Sequence, residues 1–593
     1  MKNGKHSEPR GRMDVSRRRF LKRSGLGAAV LAAGPAVSVM GSGEDHPAPE
    51  EGSPLSARGK DRAARGSSGV EPDGRGGPTS AKPAWQGDPG SFPLLEATIA
   101  DLLEGLESGR FTARGLVEAY AGRIAAYDRQ GPCLNQVLEI NPEALAIADR
   151  LDEERKAGKI RGPLHGIPVL LKDNVGTADR MATAAGSLAL AGSHPQKDSF
   201  VARRLRESGA ILLGKTNLSE WANFRSTHSS SGWSGRAGQG LNPYALDRSP
   251  CGSSSGSGAA TAACFTAVAI GTETDGSIVC PSAASSLVGI KPTVGLVSRR
   301  GIIPLSQSQD TAGPMARTVA DAARVLGVLA GADPKDPATL KGPGPAAGGY
   351  LGALDPHGLR GARVGVSRKQ FFGYSPAADK VVETALEEMK RAGAVLVDPA
   401  DIPHLGEYDE SELLVLLTDF KADIEAYLTG LGPLSPFRTL DDLIRFNERH
   451  RETELRYFGQ ELFLMAAEKG PRDSREYKEA LAKNRRLSGR EGIDAVMKKH
   501  KLDALVAPTG GPPWTIDLVN GDHFSGGSSS PAAVSGYPSI TVPAGYVFGL
   551  PVGISFIGRA YSETLLIRLA YGFEQATRVR RPPMFLPHAD LLA

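Results

Sequence analysis

The run Ile167-Pro168-Val169-Leu170-Leu171 is apolar at five consecutive positions and ends on Lys172. A strand with no polar alternation has no solvent face, so it must be covered on both sides. Similar short runs recur at Ile211–Leu213, Val364–Val366, Ala394–Val397, 503–507, 539–542 and 552–556. Between them the periodicity changes. Leu116, Val117, Tyr120, Ile124 and Tyr127 fall at helical spacing, which predicts a helix over 112–128. Further helices are expected over 199–208, 376–392 and 561–577. Strands alternating with helices at both ends of the chain predict an α/β fold, its sheet covered by helices on both faces. No internal repeat interrupts this pattern, and the Gly/Pro-rich stretch 342–349 reads as a surface loop. One domain over 93–590 is therefore expected, fewer than the 593-residue length alone suggests.

The N-terminal segment has a different character. Residues 1–40 hold nine Lys and Arg against two acids, while the rest of the chain holds 61 against 64. The formal charge of +4 thus belongs to the first segment, and a nucleic-acid-binding body is excluded. Ser16-Arg17-Arg18-Arg19-Phe20-Leu21-Lys22 matches the S-R-R-x-F-L-K pattern of a twin-arginine export signal. The apolar stretch from Leu26 to Met40 is too short and too rich in Gly to span a membrane. Residues 1–40 are read as a signal peptide addressed to the twin-arginine machinery, with a periplasmic or extracellular destination and no membrane attachment once the signal is removed. Residues 41–90 contain 11 Gly, 7 Pro and three large apolar residues, Leu55, Val70 and Trp85. Such a segment cannot offset its ordering entropy by burial, so 41–92 is expected to be a disordered linker. Four cysteines exclude a disulfide scaffold, and no C-x-x-C or H-E-x-x-H spacing suggests zinc.

Three polar features sit where apolar neighbours make them costly. Lys172 closes a buried strand and either reaches solvent, pairs with Asp173, or is desolvated into a neutral general base. The loop Cys251-Gly252-Ser253-Ser254-Ser255-Gly256-Ser257-Gly258 precedes a small-residue helix near Ala259–Ala263. It is either a flexible turn or a source of N–H and hydroxyl groups for an anion or acyl oxygen. No G-K-[ST] follows, so it is not a phosphate-binding P-loop. The turn Gly271-Thr272-Glu273-Thr274-Asp275-Gly276-Ser277-Ile278 follows apolar Val268–Ile270 and suits either a polar connection or an oxyanion hole. Gly252–Gly256 also satisfies G-x-S-x-G. A nucleophile elbow needs an apolar strand just before it, however, and Asn242–Pro250 carries two prolines.

Taken together, these segments resemble the amidase signature family. The resemblance runs through Gly162–Asn174, Gly252–Ser257, Gly271–Pro281, Gly289–Thr293 and Asp310–Arg317. It continues at Ala504–Thr509, Gly536–Pro538 and Gly549–Gly553. It implies a large mixed sheet between helical layers and a Ser–cis-Ser–Lys catalytic set. Lys172 matches the base, Ser253 the bridging serine after a cis peptide bond, and Ser277, 24 residues further on, the nucleophile. The backbone N–H groups of Thr274, Asp275, Gly276 and Ser277 match the oxyanion hole. No cofactor and no metal are implied.

Asp275-Gly276-Ser277 replaces the common Gly-Gly-Ser. With Glu273-Thr274, Val279-Cys280 and Gly214–Phe224, this resembles members that remove the C-terminal amide of peptides and release ammonia. Hydrolysis of aryl, acyl or cyclic amides, one component of an amidotransferase that works on charged tRNA, and a non-catalytic binding protein are the alternatives. Ser254, Trp221 and Asn223 are candidate substrate-binding residues, with core packing the alternative for Trp221. Cys251 and Cys280 are expected to be buried free thiols, because folding precedes twin-arginine export. Replacing Arg17 and Arg18 by Lys is expected to hold the protein in the cytoplasm, as cell fractionation would show; unchanged export would remove the signal assignment.

Overall fold

Thr112 caps the helix predicted over 112–128: its hydroxyl accepts the Gly115 N–H at 2.9 Å, and the helix runs Ala113–Tyr127 (α1). The computed structural model describes residues 92–591. Phe92 is already buried there, its ring 6.1 Å from that of Tyr120 on α1. The expected signal and linker lie outside the described residues, apart from Phe92.

Eleven strands form the main sheet. In chain order they are β1 (Val137–Ile140), β2 (Pro168–Lys172), β3 (Ile211–Thr216), β4 (Val268–Glu273), β5 (Val288–Lys291) and β6 (Thr311–Ala316). The remaining strands are β7 (Arg363–Val366), β8 (Val395–Val397), β9 (Ala504–Pro508), β10 (Ser539–Val547) and β11 (Leu550–Ile557). Their spatial order is β1-β3-β2-β4-β6-β5-β10-β11-β9-β7-β8. β2 pairs parallel with β3 and β4, and β7 parallel with β8 and β9; the other pairs are antiparallel. The sheet is therefore mixed, and the chain has the expected α/β fold.

Every residue of β2, β3, β4, β6, β9 and β11 is buried. Successive side chains in a strand point to opposite faces, so burial at every position means both faces are covered. The cover includes α2 (Phe200–Glu207), α3 (Ser255–Ala262), α4 (Val279–Ala284), α5 (Val319–Leu329), α6 (Pro376–Arg391) and α8 (Glu563–Thr577). α3 reads Ser-Gly-Ser-Gly-Ala-Ala-Thr-Ala and is buried throughout. A Cβ on Gly258 would lie 2.9 Å from the Pro281 carbonyl oxygen, so α3 and α4 approach more closely than larger residues allow.

The sequence leaves 409–500 unassigned. In the structure this stretch is mostly helical, beginning with α7 (Asp409–Gly430), and it builds a second apolar cluster. Leu416, Phe420 and Phe463 pack there with Leu218, Trp221 and Phe224. Two parallel strands, β2 and β4, thus end at the same edge of the sheet, and this helical segment is fastened to the loops beside that edge.

Phe556 on β11 is fully buried, with its ring centroid 6.0 Å from that of Phe573 on α8. Phe556→Ala is expected to lower unfolding free energy by about 3–5 kcal/mol, read by denaturant titration.

Candidate active site

β2 delivers Lys172 to the carboxyl edge of the sheet, where α/β folds commonly place their ligands. The side chain is 0% exposed. Its Nζ lies 2.8 Å from Ser253 Oγ, 2.9 Å from Thr272 Oγ1 and 3.2 Å from the Thr272 carbonyl oxygen. Thr272 belongs to the neighbouring parallel strand β4, so sheet pairing fixes the amine against its partners. Burial lowers the lysine pKa to about 7; the charges of Asp310 and Glu273 oppose that shift without cancelling it. Lys172 thus does not reach solvent, and its amine bonds Ser253 and Thr272 in place of Asp173.

The Gly252–Ser253 peptide bond is cis. Ser253 is fully buried, and no strand precedes it over 242–251, so the nucleophile-elbow reading fails. The next serines fasten the loop. Ser254 Oγ donates to the Thr272 carbonyl at 2.9 Å, and the Ser254 N–H donates to the Ser277 carbonyl at 3.2 Å. Ser255 Oγ donates to the Cys251 carbonyl, and Ser257 Oγ to that of Ile270. Ser254 is therefore a clasp between α3 and β4, fully buried, and not the substrate contact expected from sequence.

Ser277 stands in the turn between β4 and α4 and is 7% exposed. Glu273, the last residue of β4, organises that turn. Its carboxylate accepts the N–H groups of Gly276 at 3.0 Å, Ile278 at 2.7 Å and Val279 at 3.0 Å. This placement also puts an acid at the start of α4, where the helix dipole favours it. Burial pushes the Glu273 carboxyl up, and Lys291 pulls it back down. The Gly276 N–H is thus already committed to Glu273, which corrects the expected set of four oxyanion donors. Thr274, Asp275 and Ser277 keep N–H groups that form no hydrogen bond within the described residues.

Further side chains hold the same turn from outside. Thr274 Oγ1 donates to Asp310 at 2.6 Å, and burial raises that carboxyl to about 6. Gln309 Nε2 donates to the Thr274 carbonyl at 3.3 Å and to Glu412 of α7 at 3.0 Å. Asp275 accepts hydroxyl hydrogens from Ser529 and Ser530. Sequence spacing could not single out Gln309, Glu412, Ser529 or Ser530, which come from distant segments. Glu273 had a local signal, an acid at the end of an apolar run just before a helix.

Two other expectations change. Trp221 is 2% exposed, and its ring meets Phe463 edge-on at 5.7 Å, so its role is packing. Asn223 is half-buried and donates to Ser231 Oγ at 3.1 Å; Ser231 is held in turn by Asp522. Cys251 and Cys280 form a disulfide, with Cα atoms 6.1 Å apart, in place of the expected free thiols. The expectation considered only the compartment. The bond from Ser254 to Ser277 and the α3–α4 contact bring the two segments within disulfide reach.

This fold and site have clear relatives. The Amidase family profile matches residues 115–567. A probable amidase of Arabidopsis thaliana is 43% identical over 505 residues, covering 84% of this chain and 93% of its own. A glutamyl-tRNA(Gln) amidotransferase component from Chloroflexus aurantiacus is 34% identical, covering 82% and 97%. The crystal structure of native peptide amidase from Stenotrophomonas maltophilia superposes with a TM-score of 0.80 at 54% identity, covering 83% of this chain and 99% of that one. The chain belongs to the amidase signature family and is an amidase.

Glu273→Gln keeps the size of the side chain but aims an N–H at backbone donors. It is expected to lower kcat roughly ten- to a hundredfold, with KM little changed, in steady-state amide hydrolysis. An unchanged kcat would show that the turn holds itself.

Proposed function

We infer that this amidase hydrolyses linear carboxamides through an acyl-enzyme on Ser277, and that its substrates are peptides bearing a C-terminal amide. The observation that carries the reading is the 2.8 Å contact between buried Lys172 and buried Ser253. A neutral amine has two hydrogens and one lone pair. The Thr272 carbonyl can only accept, and Thr272 Oγ1 also receives the Asn174 amide N–H at 3.0 Å. Both amine hydrogens are then directed to Thr272, and the lone pair is left for the Ser253 hydroxyl.

In the proposed reaction Ser277 Oγ attacks the carboxamide carbon. Its proton passes to Ser253, and the Ser253 proton passes to Lys172. The oxyanion is held by the free N–H groups of the 274–277 turn. The same relay returns a proton to the departing nitrogen, which leaves as ammonia. Water then attacks the ester along the same route and frees the acid and Ser277. The 54% identity to peptide amidase over nearly all of that chain supports peptide amides as substrates. The N-terminal arginine pattern supports export by the twin-arginine route.

Ser277→Ala is expected to abolish ammonia release from a peptide amide, and the product of the parent enzyme should be the free acid by mass spectrometry. Preference for an anilide over the peptide amide would move the substrate to the aryl class. Activity seen only with charged tRNA and partner proteins would move it to the amidotransferases. The rate should also follow the lysine. Below pH about 7 the amine is protonated and cannot accept, so kcat/KM is expected to fall on the acid side of that value. A limb in the ordinary carboxylate range would assign the base to an acid instead.

A further inference from the structure

Among the described residues Ser253 Oγ has one hydrogen-bond partner, Lys172, and the Ser277 hydroxyl has none. Their side chains therefore do not fix their mutual position; the two backbones that carry them must. One direct bond joins those backbones, from the Ser254 N–H to the Ser277 carbonyl. Ser254 Oγ also bonds the Thr272 backbone near the end of β4, and a further link is covalent. Cys251 lies two residues before Ser253, with a φ of 58°. Cys280 lies three residues after Ser277, in the first turn of α4, and its N–H donates to the Gly276 carbonyl at 2.8 Å. The disulfide between them spans 29 residues and brackets both serines.

From this placement we propose that Cys251 and Cys280 are positioning residues: their disulfide sets the approach of the bridging serine to the nucleophile, and full activity requires the oxidised pair. The proposal rests on the Ser277 reading above. Cys280 is partly exposed, which gives a reductant access. Reduction by a dithiol passes two electrons to the bond, leaves two thiols and closes the reagent into a ring disulfide. The chain is then weakly active while its thiols are reduced and gains activity when an oxidant removes those two electrons.

The test uses the purified full-length protein. A dithiol is added, labelling with iodoacetamide followed by mass spectrometry locates the opened pair, and circular dichroism follows the fold. Two rates are read: kcat on a peptide amide, and labelling of Ser277 by a fluorophosphonate, which reports nucleophile reactivity whatever the substrate. Reduction is expected to lower both by about tenfold or more with KM little changed and the fold kept, as misplacement of reacting groups does. Oxidised glutathione should restore them. The Cys251→Ser/Cys280→Ser double variant should match the reduced enzyme and ignore the dithiol. A Cys133→Ser/Cys264→Ser variant, lacking the two free thiols, should respond like the parent.

Full rates in protein whose Cys251 and Cys280 are both alkylated would overturn the proposal. So would a loss that tracks unfolding, because the bond would then be a staple only. If Ser277→Ala retains activity, the proposed function falls, whatever reduction does. If Ser277→Ala is inactive and reduction has no effect, this inference alone falls.

Discussion

The site depends on an amine held out of water at the end of a strand. Lys172 is reached through four buried residues, Pro168 to Leu171, in a strand paired on both sides. Solvent cannot stabilise the ammonium form there, and among the described residues three oxygens hydrogen-bond the amine. Desolvation therefore outweighs the nearby carboxylates, and the amine becomes a base near neutrality. The burial that makes the lysine useful also costs folding free energy. Its folded pKa lies below its unfolded one, so between about pH 7 and the ordinary lysine pKa the unfolded chain holds a proton that folding releases. A site of this kind needs a large, well-covered sheet around it, and an eleven-stranded sheet with fully buried inner strands such as β2, β3, β4 and β6 provides one.

The second constraint looks like a contradiction. The turn proposed to receive a negative oxygen is ringed by acids: Glu273, Asp275, Asp310 and Glu412. Their hydrogen bonds resolve it. Glu273 is occupied by three backbone N–H groups, Asp310 by Thr274, Leu305 and Ser306, and Asp275 by two hydroxyls. Burial raises the pKa of all four acids. Their principal effect is geometric: they fix the turn so that its remaining N–H groups need not reorganise when charge develops. Gly276 shows the division of labour, since its N–H holds the turn and its neighbours are left free.

Local pattern carried much of this into the sequence. The strands around Lys172, Ile211 and Val552 were legible because continuous apolar runs bounded by polar turns have few alternatives. The helix at 113–127 was legible from spacing. The meeting of Lys172 with Ser253 was legible because several segments occur in one order. Long-range contacts left no such trace. Trp221 reads as a core residue or a substrate contact, with packing favoured, and the partner that covers it, Phe463, lies more than two hundred residues away. Ser254 reads like its neighbours in a flexible loop, yet it bonds to β4 at two points. The disulfide depends on the Cys251 loop meeting the first turn of α4, and no spacing in the chain encodes that meeting.

The same distinction separates chemistry from substrate choice. Lys172, Ser253 and Ser277 sit on β2, on the entry to α3 and in the turn before α4, all packed within the sheet and its small-residue helices. A core of this kind tolerates little change, and relatives named as peptide amidase and as amidotransferase components both align across it. The surrounding segments are less constrained. Ser231 and Asp522 join the 226–233 loop to the 511–527 loop, with Trp514 Nε1 donating to the same carboxylate at 3.0 Å. Ser231 lies against Gly252, while Ser529 lies against Gly276, so these loops touch both serine-bearing backbones. The helices over 409–500 add Glu412 and the Phe463 cluster from another direction. The surroundings of the two serine-bearing backbones are therefore built from segments distant in the chain that are joined to one another.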